Sequence, residues 1–315
     1  MPVSVEERRE YRQFSKNIVE RLGSLNFGSD LTVWHYTTGA GLIGILQSGQ
    51  LFATQVACLN DSSETLYAQR LYKAALSEIQ KQYAGNTAVK ALYEHFQSEF
   101  QDDSTPAASS PSKFFVACLT TKGNDLSQWR AYAEQGGENG YAIGFRVGGL
   151  FGGLQRLVAK VNYDRDLHIT LAKEVADATI TYFLKGLQND PSRSAELWAE
   201  EFFQAWDEDI YRLSPLIKDP GFRDEEEVRI IHELQISEFG QIQMKQKRNL
   251  LARYVALNFA PVCWVGKSVK LPITSIVIGP SRHPAVSRVS VGTLLRQTGY
   301  DSVSVEISSC PLQAP

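Results

Sequence analysis

The sequence predicts an α+β protein built on a mixed or split β-sheet, on three observations. Short apolar strands bounded by turn residues recur from Leu31 to Ile307, interspersed with amphipathic helical stretches. A block from Leu167 past Trp206 is helical in pattern and free of strand signals, so it reads as inserted or peripheral. Beyond Gly240 the chain returns to short strands and turns. The expected organisation is an N-terminal helix within residues 1–30, then one domain over 31–315 with a helical insertion near 167–215. A chain of 315 residues, 43% hydrophobic and 21% charged, is of ordinary globular composition and can bury a sizeable core.

The first element is a helix over residues 5–22. Tyr11, Phe14, Ile18, Val19 and Leu22 recur on one face, and Gly23 stops the run. Leu31–Tyr36 then reads as a strand, followed by a Thr37-Thr38-Gly39 turn. Leu42, Ile43, Ile45 and Leu46 fall at helical spacing, and Ser48-Gly49 closes that helix. A second strand covers Gln50–Thr54, and a helix opens near Ser62. His35 sits inside the first strand, beside hydroxyl residues at its C-terminal end, where small polar ligands bind in many sheets. A core histidine bonded to a backbone carbonyl explains the position equally well. Asn60, Asp61 and Glu64 form a further polar set, more simply read as a helix cap with a carboxylate in the first turn.

Residues 64–100 read as one or two helices, and the Ser/Pro/Ala-rich stretch 101–112 as a mobile loop. A core strand over Lys113–Thr120 leads to a helix that Asn124 or Asp125 can cap, with Trp129, Tyr132 and Ala133 on one face. The Gly136, Gly137 and Gly140 cluster is too loose for a dinucleotide fingerprint and follows a helix where such a turn follows a strand. Strands are expected over Tyr141–Phe145 and Val158–Tyr163, and the helical block breaks at Asn189-Asp190-Pro191-Ser192. The acidic run Asp224-Glu225-Glu226-Glu227 enters an alternating strand, Val228–His232. Extended geometry puts Glu227 and Arg229 on one face, with Glu225 on the same side if the strand already holds there. A buried strand over Ile273–Ile278 ends in Gly279-Pro280, a helix spans Arg288–Thr298 with Ser290 as its cap, and a last strand runs to Ile307.

Net charge is −3, which does not by itself point to nucleic acid. Its distribution is uneven. Gly240 to Tyr300 holds no Asp or Glu but carries Lys245, Lys247, Arg248, Arg253, Lys267, Lys270, Arg282, Arg288 and Arg296. This stretch either packs against the acidic segment before it or lines a groove for a phosphate-bearing ligand. The four cysteines have no CxxC spacing and lie in apolar surroundings, which suits reduced thiols better than disulfides or zinc. The charged N-terminus is no signal peptide and no apolar run approaches a bilayer span, so the expectation is a cytoplasmic protein with no membrane partner. GxSxG, Walker and HExxH motifs are absent, and no metal site is expected.

Taken in order, a set of motifs resembles a known family. They are Trp34-His35-Tyr36-Thr37 with Gly41–Leu46 and Gly49-Gln50-Leu51; Leu59-Asn60-Asp61 with Glu64; Cys118-Leu119-Thr120; Trp129–Ala133; Gly140–Phe145; Phe222 with Glu225, Glu227 and Arg229; and Ile276–Pro280. Over roughly residues 31–310, apart from the helical block, they resemble a bacterial family catalogued as domain of unknown function 2971. That family is itself distantly similar to the ADP-ribosyltransferase fold, including toxins that modify DNA bases. The resemblance implies an ADP-ribosyltransferase-like split sheet, NAD as a substrate, and a nucleic-acid or protein acceptor met through the basic segment 240–300, in a toxin or phage-defence setting. It implies that Glu227 stabilises positive charge at the ribose while Glu225 orients the nucleophile, with the choice among Glu225, Glu226 and Glu227 open by one register. It implies His35 and Thr37 at the ribose hydroxyls, Tyr132 or Tyr36 stacked on nicotinamide, and Arg229, with Lys247 or Arg248, at the diphosphate. Val228 stands where the resemblance leads one to expect an aromatic residue. The alternatives are a non-catalytic nucleotide- or nucleic-acid-binding module of the same fold, and an NAD glycohydrolase.

Overall fold

The computed structural model describes residues 13–14, 17–23, 25–26, 30–59, 63–99, 113–133, 140–151, 156–247, 250–259 and 270–311, with the side chains of 63–65, 133, 204–212, 236, 247 and 250 excepted. The chain forms two compact units. One comprises residues 1–24, 55–114 and 161–223, and the other 25–54, 115–160 and 224–315. The segment expected as an insertion at 167–215 falls in the first of these. It shares a unit with the 64–100 helices, because the apolar stripes of both are buried against each other.

The second unit holds nearly all of a ten-stranded, mostly antiparallel sheet. Its strands are β1 (Thr32–Thr38), β2 (Leu51–Gln55), β3 (Phe114–Thr120), β4 (Gly140–Arg146), β5 (Arg156–Lys160), β6 (Glu227–Glu233), β7 (Gln243–Lys247), β8 (Leu250–Leu257), β9 (Ile273–Ile278) and β10 (Ser304–Ile307). The order is β10-β9-β4-β1-β3-β2-β8-β7, with β6 also paired to β3 and β5 to β6. The sheet thus forks at β3. The β1–β3 ladder is a single rung, Trp34↔Thr120, whereas β1 pairs with β4 from Thr32↔Arg146 through Thr38↔Gly140.

Helix α1 (Gly39–Ser48) follows β1 directly. Thr38 caps it by accepting the Gly41 N–H, and Gly49, at φ 66°, ends it with its N–H on the Ile45 carbonyl. Leu42 and Leu46 of α1 join Val33, Phe115, Ile143 and Phe145 in the main core of this unit. Helix α6 (Pro284–Thr298) adds Val291 and Leu295 to the same core. That helix starts four residues before Arg288, and its cap lies seven residues before Ser290. Pro284 occupies the first turn, where its missing N–H costs nothing, and His283 takes the cap position.

The opposite face of the central strands carries a smaller aromatic cluster of Tyr36, Trp129, Ala142 and Val277, with Trp34 against it. Tyr36 and Trp129 meet edge-to-face at 4.5 Å. The Trp34 ring lies so close to Gly123 and Gly144 that a Cβ on Gly144 would fall 2.9 Å from its Cζ3.

The first unit is helical. It contains α2 (Ser63–Ile79), α3 (Thr87–Glu99), α4 (Arg165–Asn189) and α5 (Ala195–Leu213). Phe96 of α3 meets Phe203 of α5 edge-on at 4.8 Å, and Gly186 leaves room for the buried Trp198. Two tyrosines find polar partners inside. Tyr72 donates to Thr179 at 3.0 Å, and Tyr67 bonds His168 at 2.9 Å. Of the helix expected over 5–22, the described part is helical at 13–14 and 17–21. The 101–112 stretch, the Gly136-Gly137 turn, and Asn60, Asp61 and Cys263 lie outside the described residues. Among the described residues no helix is long and apolar enough to cross a membrane.

Candidate functional site

The site grows from the C-terminal end of β3. His35 on β1 reaches across the sparse β1–β3 seam, and its Nδ1 lies 3.0 Å from the Cys118 carbonyl. A carbonyl only accepts, so Nδ1 carries the proton and Nε2 is left as an acceptor. Desolvation holds the imidazole below its usual pKa, against the pull of the Cys118 carbonyl, and the nearby Lys245 charge adds to the depression. His35 is therefore a neutral ring with one orientation. The ring bonds a backbone carbonyl, as a core histidine does, through one of its two nitrogens.

Two residues further along β3, the Thr120 hydroxyl donates to the Glu225 carbonyl at 2.7 Å. The next N–H, of Thr121, donates to the Glu226 carbonyl at 3.1 Å. These bonds lock the acidic run against the end of β3. Glu225 closes a 3-10 turn, Pro220–Glu225, and the strand begins only at Glu227. Between them Glu226 sits at φ 44°, the left-handed region that disfavours residues with a Cβ. Its carboxylate compensates by accepting from the Thr121 hydroxyl and lying 3.7 Å from the Lys122 ammonium.

This backbone reversal separates the three glutamates. Strand alternation does not extend back to Glu225, so the expected shared face of Glu225 and Glu227 is not formed. Glu227 is buried and accepts two bonds from Arg229, at 2.8 Å from Nε and 2.7 Å from Nη2, with Arg229 only 1% exposed. Glu225 is half-buried and accepts from the Tyr132 phenol at 3.1 Å.

Tyr132 reaches Glu225 because its helix is wound unusually. Asp125 caps the turn Leu126–Gln128, accepting from the Ser127 and Gln128 amides at 2.9 and 3.3 Å. Hydrogen bonding to Ser127 holds its carboxyl below the usual pKa. Trp129–Ala133 then continues as a π-helix. The wider turn takes Tyr132 off the face of Trp129, so Trp129 is fully buried while Tyr132 is exposed, where an α-helix would have aligned them.

Tyr36 and Thr37 occupy other positions. The Tyr36 hydroxyl donates to the Lys122 carbonyl at 2.9 Å and accepts from the Asp125 amide at 3.0 Å. It braces the 121–125 turn from inside the aromatic cluster, and burial pushes its pKa up. Thr37 packs against Gly41, where a Cβ would collide with its hydroxyl. The structure therefore brings together Tyr132 and Glu225, and Glu227 and Arg229. It ties His35 to the same end of β3.

The basic segment is spread over separate elements. Lys245 lies 5.3 Å from the Tyr254 ring centre, Lys270 donates to the Gly299 carbonyl, and Arg282, Arg288 and Arg296 are exposed on or near α6. The Lys247 side chain, Arg248 and Lys267 lie outside the described residues. Among the described residues no group of three or more His, Cys, Asp and Glu side chains has the geometry to hold a metal ion.

Residues 128–230 match the model of a family described as a protein of unknown function, DUF2971. The matched segment runs from the turn carrying Tyr132 to the strand carrying Glu227 and Arg229. No curated protein and no solved structure matches the chain.

Proposed function

We propose that the β1–β3–β6 junction takes NAD as substrate and transfers its ADP-ribose to a nucleic-acid or protein acceptor. The observation that carries this reading is the hydrogen bond between Tyr132 and Glu225, which sets an exposed aromatic ring beside a half-buried carboxylate. Cleavage of the nicotinamide–ribose bond builds positive charge on the ribose carbon, and a fixed carboxylate stabilises it. Glu225 fills that role and accepts the proton of the incoming nucleophile as its bond to the ribose carbon forms. Tyr132 offers its face to the nicotinamide ring, which departs neutral. The unprotonated Nε2 of His35 accepts from a ribose hydroxyl. Lys245, whose charge reaches His35, meets the diphosphate, because Arg229 is engaged with Glu227.

In this reading Glu227 is a positioning residue. Its ion pair with Arg229 anchors the start of β6, and so the strained Glu226 and the Glu225 before it. A sheet that forks beside a first-strand histidine, with a carboxylate before a later strand, supports the resemblance to ADP-ribosyltransferases.

The test is nicotinamide release from NAD by the purified chain and by Glu225→Gln, with and without nucleic acid or cell lysate. Release that depends on Glu225 supports the reading, and the additive that accelerates it identifies the acceptor class. Release unaffected by additives makes water the acceptor. Wild-type release in Glu225→Gln removes the carboxylate assignment, and no release under any condition removes the NAD reading.

A further inference from the structure

Strand β6 carries a second polar feature at its other end and on its other face. Arg156 of β5 is directly paired with His232 of β6, and both alternate onto the side of Val158, Val228 and Ile230 in the main core. His232 is only 8% exposed. Its Nδ1, together with Nε and Nη1 of Arg156, is buried without a hydrogen-bond partner. The Arg156 guanidinium rests on the Phe259 ring at 4.7 Å, which supplies attraction but no acceptor. Glu238 is close enough for its charge to be felt at both residues, but its carboxylate is used in capping, accepting the Gln235 N–H at 2.9 Å.

Buried donors without an acceptor are rare in folded proteins, and here two side chains that carry them face each other across adjacent strands. We propose that Arg156 and His232 together bind a phosphate group, the guanidinium and the imidazole Nδ1–H donating to its oxygens. Directly opposed strand residues have Cα atoms roughly 4.5–5.5 Å apart, so one tetrahedral anion spans both side chains.

Charge favours phosphate over a carboxylate. Arg156 stays cationic at neutral pH although burial pushes its pKa down to about 10. Burial holds His232 below its usual pKa, Arg156 lowers it further, and Glu238 and Glu233 oppose the shift. A bound dianion reverses that balance and lets the ring take up a proton, giving two positive charges against a phosphate of up to two negative ones. His232 lies five residues beyond Glu227, roughly 16 Å along the strand, on the opposite face. The site is therefore separate from the Tyr132–Glu225 pair and does not rest on the NAD reading.

The experiment uses the full chain in phosphate-free buffer, with inorganic phosphate, adenosine monophosphate and adenosine as probes and sodium chloride at matched ionic strength. Phosphate is expected to raise the Tm of the wild type above the chloride control and to move the His232 ring-proton titration to higher pH by NMR. Arg156→Met is expected to lose the Tm rise, and His232→Gln to bind roughly tenfold more weakly. Should Arg156→Met not fold, Arg156→Lys keeps the charge without the planar donors, and its weakened binding serves in its place. Tighter binding of the nucleotide than of free phosphate, with no effect of adenosine, assigns the phosphate to a nucleotide, and equal binding assigns the free ion. A wild-type Tm that responds to phosphate and chloride alike, or wild-type affinity in both arginine variants, overturns the proposal.

Discussion

Arg229 holds Glu227 by two parallel hydrogen bonds on one face of β6, with both side chains out of solvent. Removing one partner of such a pair strands a buried charge, which costs about 3–5 kcal/mol. Glu227→Gln should therefore lower the urea midpoint strongly, and any loss of NAD turnover should recover in part under stabilising conditions such as added osmolyte. A fully folded, fully stable Glu227→Gln with no turnover would instead make Glu227 the reacting carboxylate.

Glu225→Gln should behave in the opposite way. Glu225 is half-buried and outside the strand ladder, so the substitution should change Tm little. Nicotinamide release should fall by about 10²-fold or more, the scale set by loss of one preorganised charge-stabilising group. Tyr132→Phe keeps the ring and loses only the hydrogen bond to Glu225, so a smaller fall in turnover is expected, whereas Tyr132→Ala should also raise the KM for NAD.

The cap residue Asp125 links stability to the site. Asp125→Ala removes the acceptor for two amides and should cost about 1 kcal/mol, read as a Tm shift. The same change loosens the π-turn that carries Tyr132. Turnover should drop more in Asp125→Ala than in Ser127→Ala, which leaves the acceptor in place.

Acid should destabilise the fold before most carboxylates titrate. Burial lowers the pKa of His35, His168 and His232. The unfolded chain then binds more protons than the native one from an ordinary histidine pKa of about 6.5 downward, so stability is complete above that pH and declines below it. Urea midpoints between pH 7.5 and 5 should fall, and His168→Gln should flatten the slope. A midpoint that does not change over this range would count against neutral, buried histidines.

Much of the fold was legible from periodicity and punctuation, because those signals are local. The Ser48-Gly49 stop, the Asp125 cap and the strand after the acidic run all follow from neighbouring residues. What the sequence hid depends on long-range geometry. The pairing of Tyr132 with Glu225 needs a π-turn and a left-handed Glu226, and helical spacing alone assigns Tyr132 to the wrong face. His232 was visible as a histidine in an apolar strand, but its pairing with Arg156 depends on the register of β5 against β6, which no local pattern encodes. The division into two units was hidden for the same reason, since the partners of α2 and α3 lie some hundred residues downstream.

The single rung between β1 and β3 has a mechanical consequence. The β1–β4 ladder shares load over several hydrogen bonds, whereas between β1 and β3 one pair, Trp34↔Thr120, carries the backbone connection alone. Tension across the sheet would concentrate at that seam and be borne chiefly by the packing of Val33, Phe115 and Ile143. The seam is a compliant joint, and the His35 ring, bonded to Cys118 across it, works as its strut.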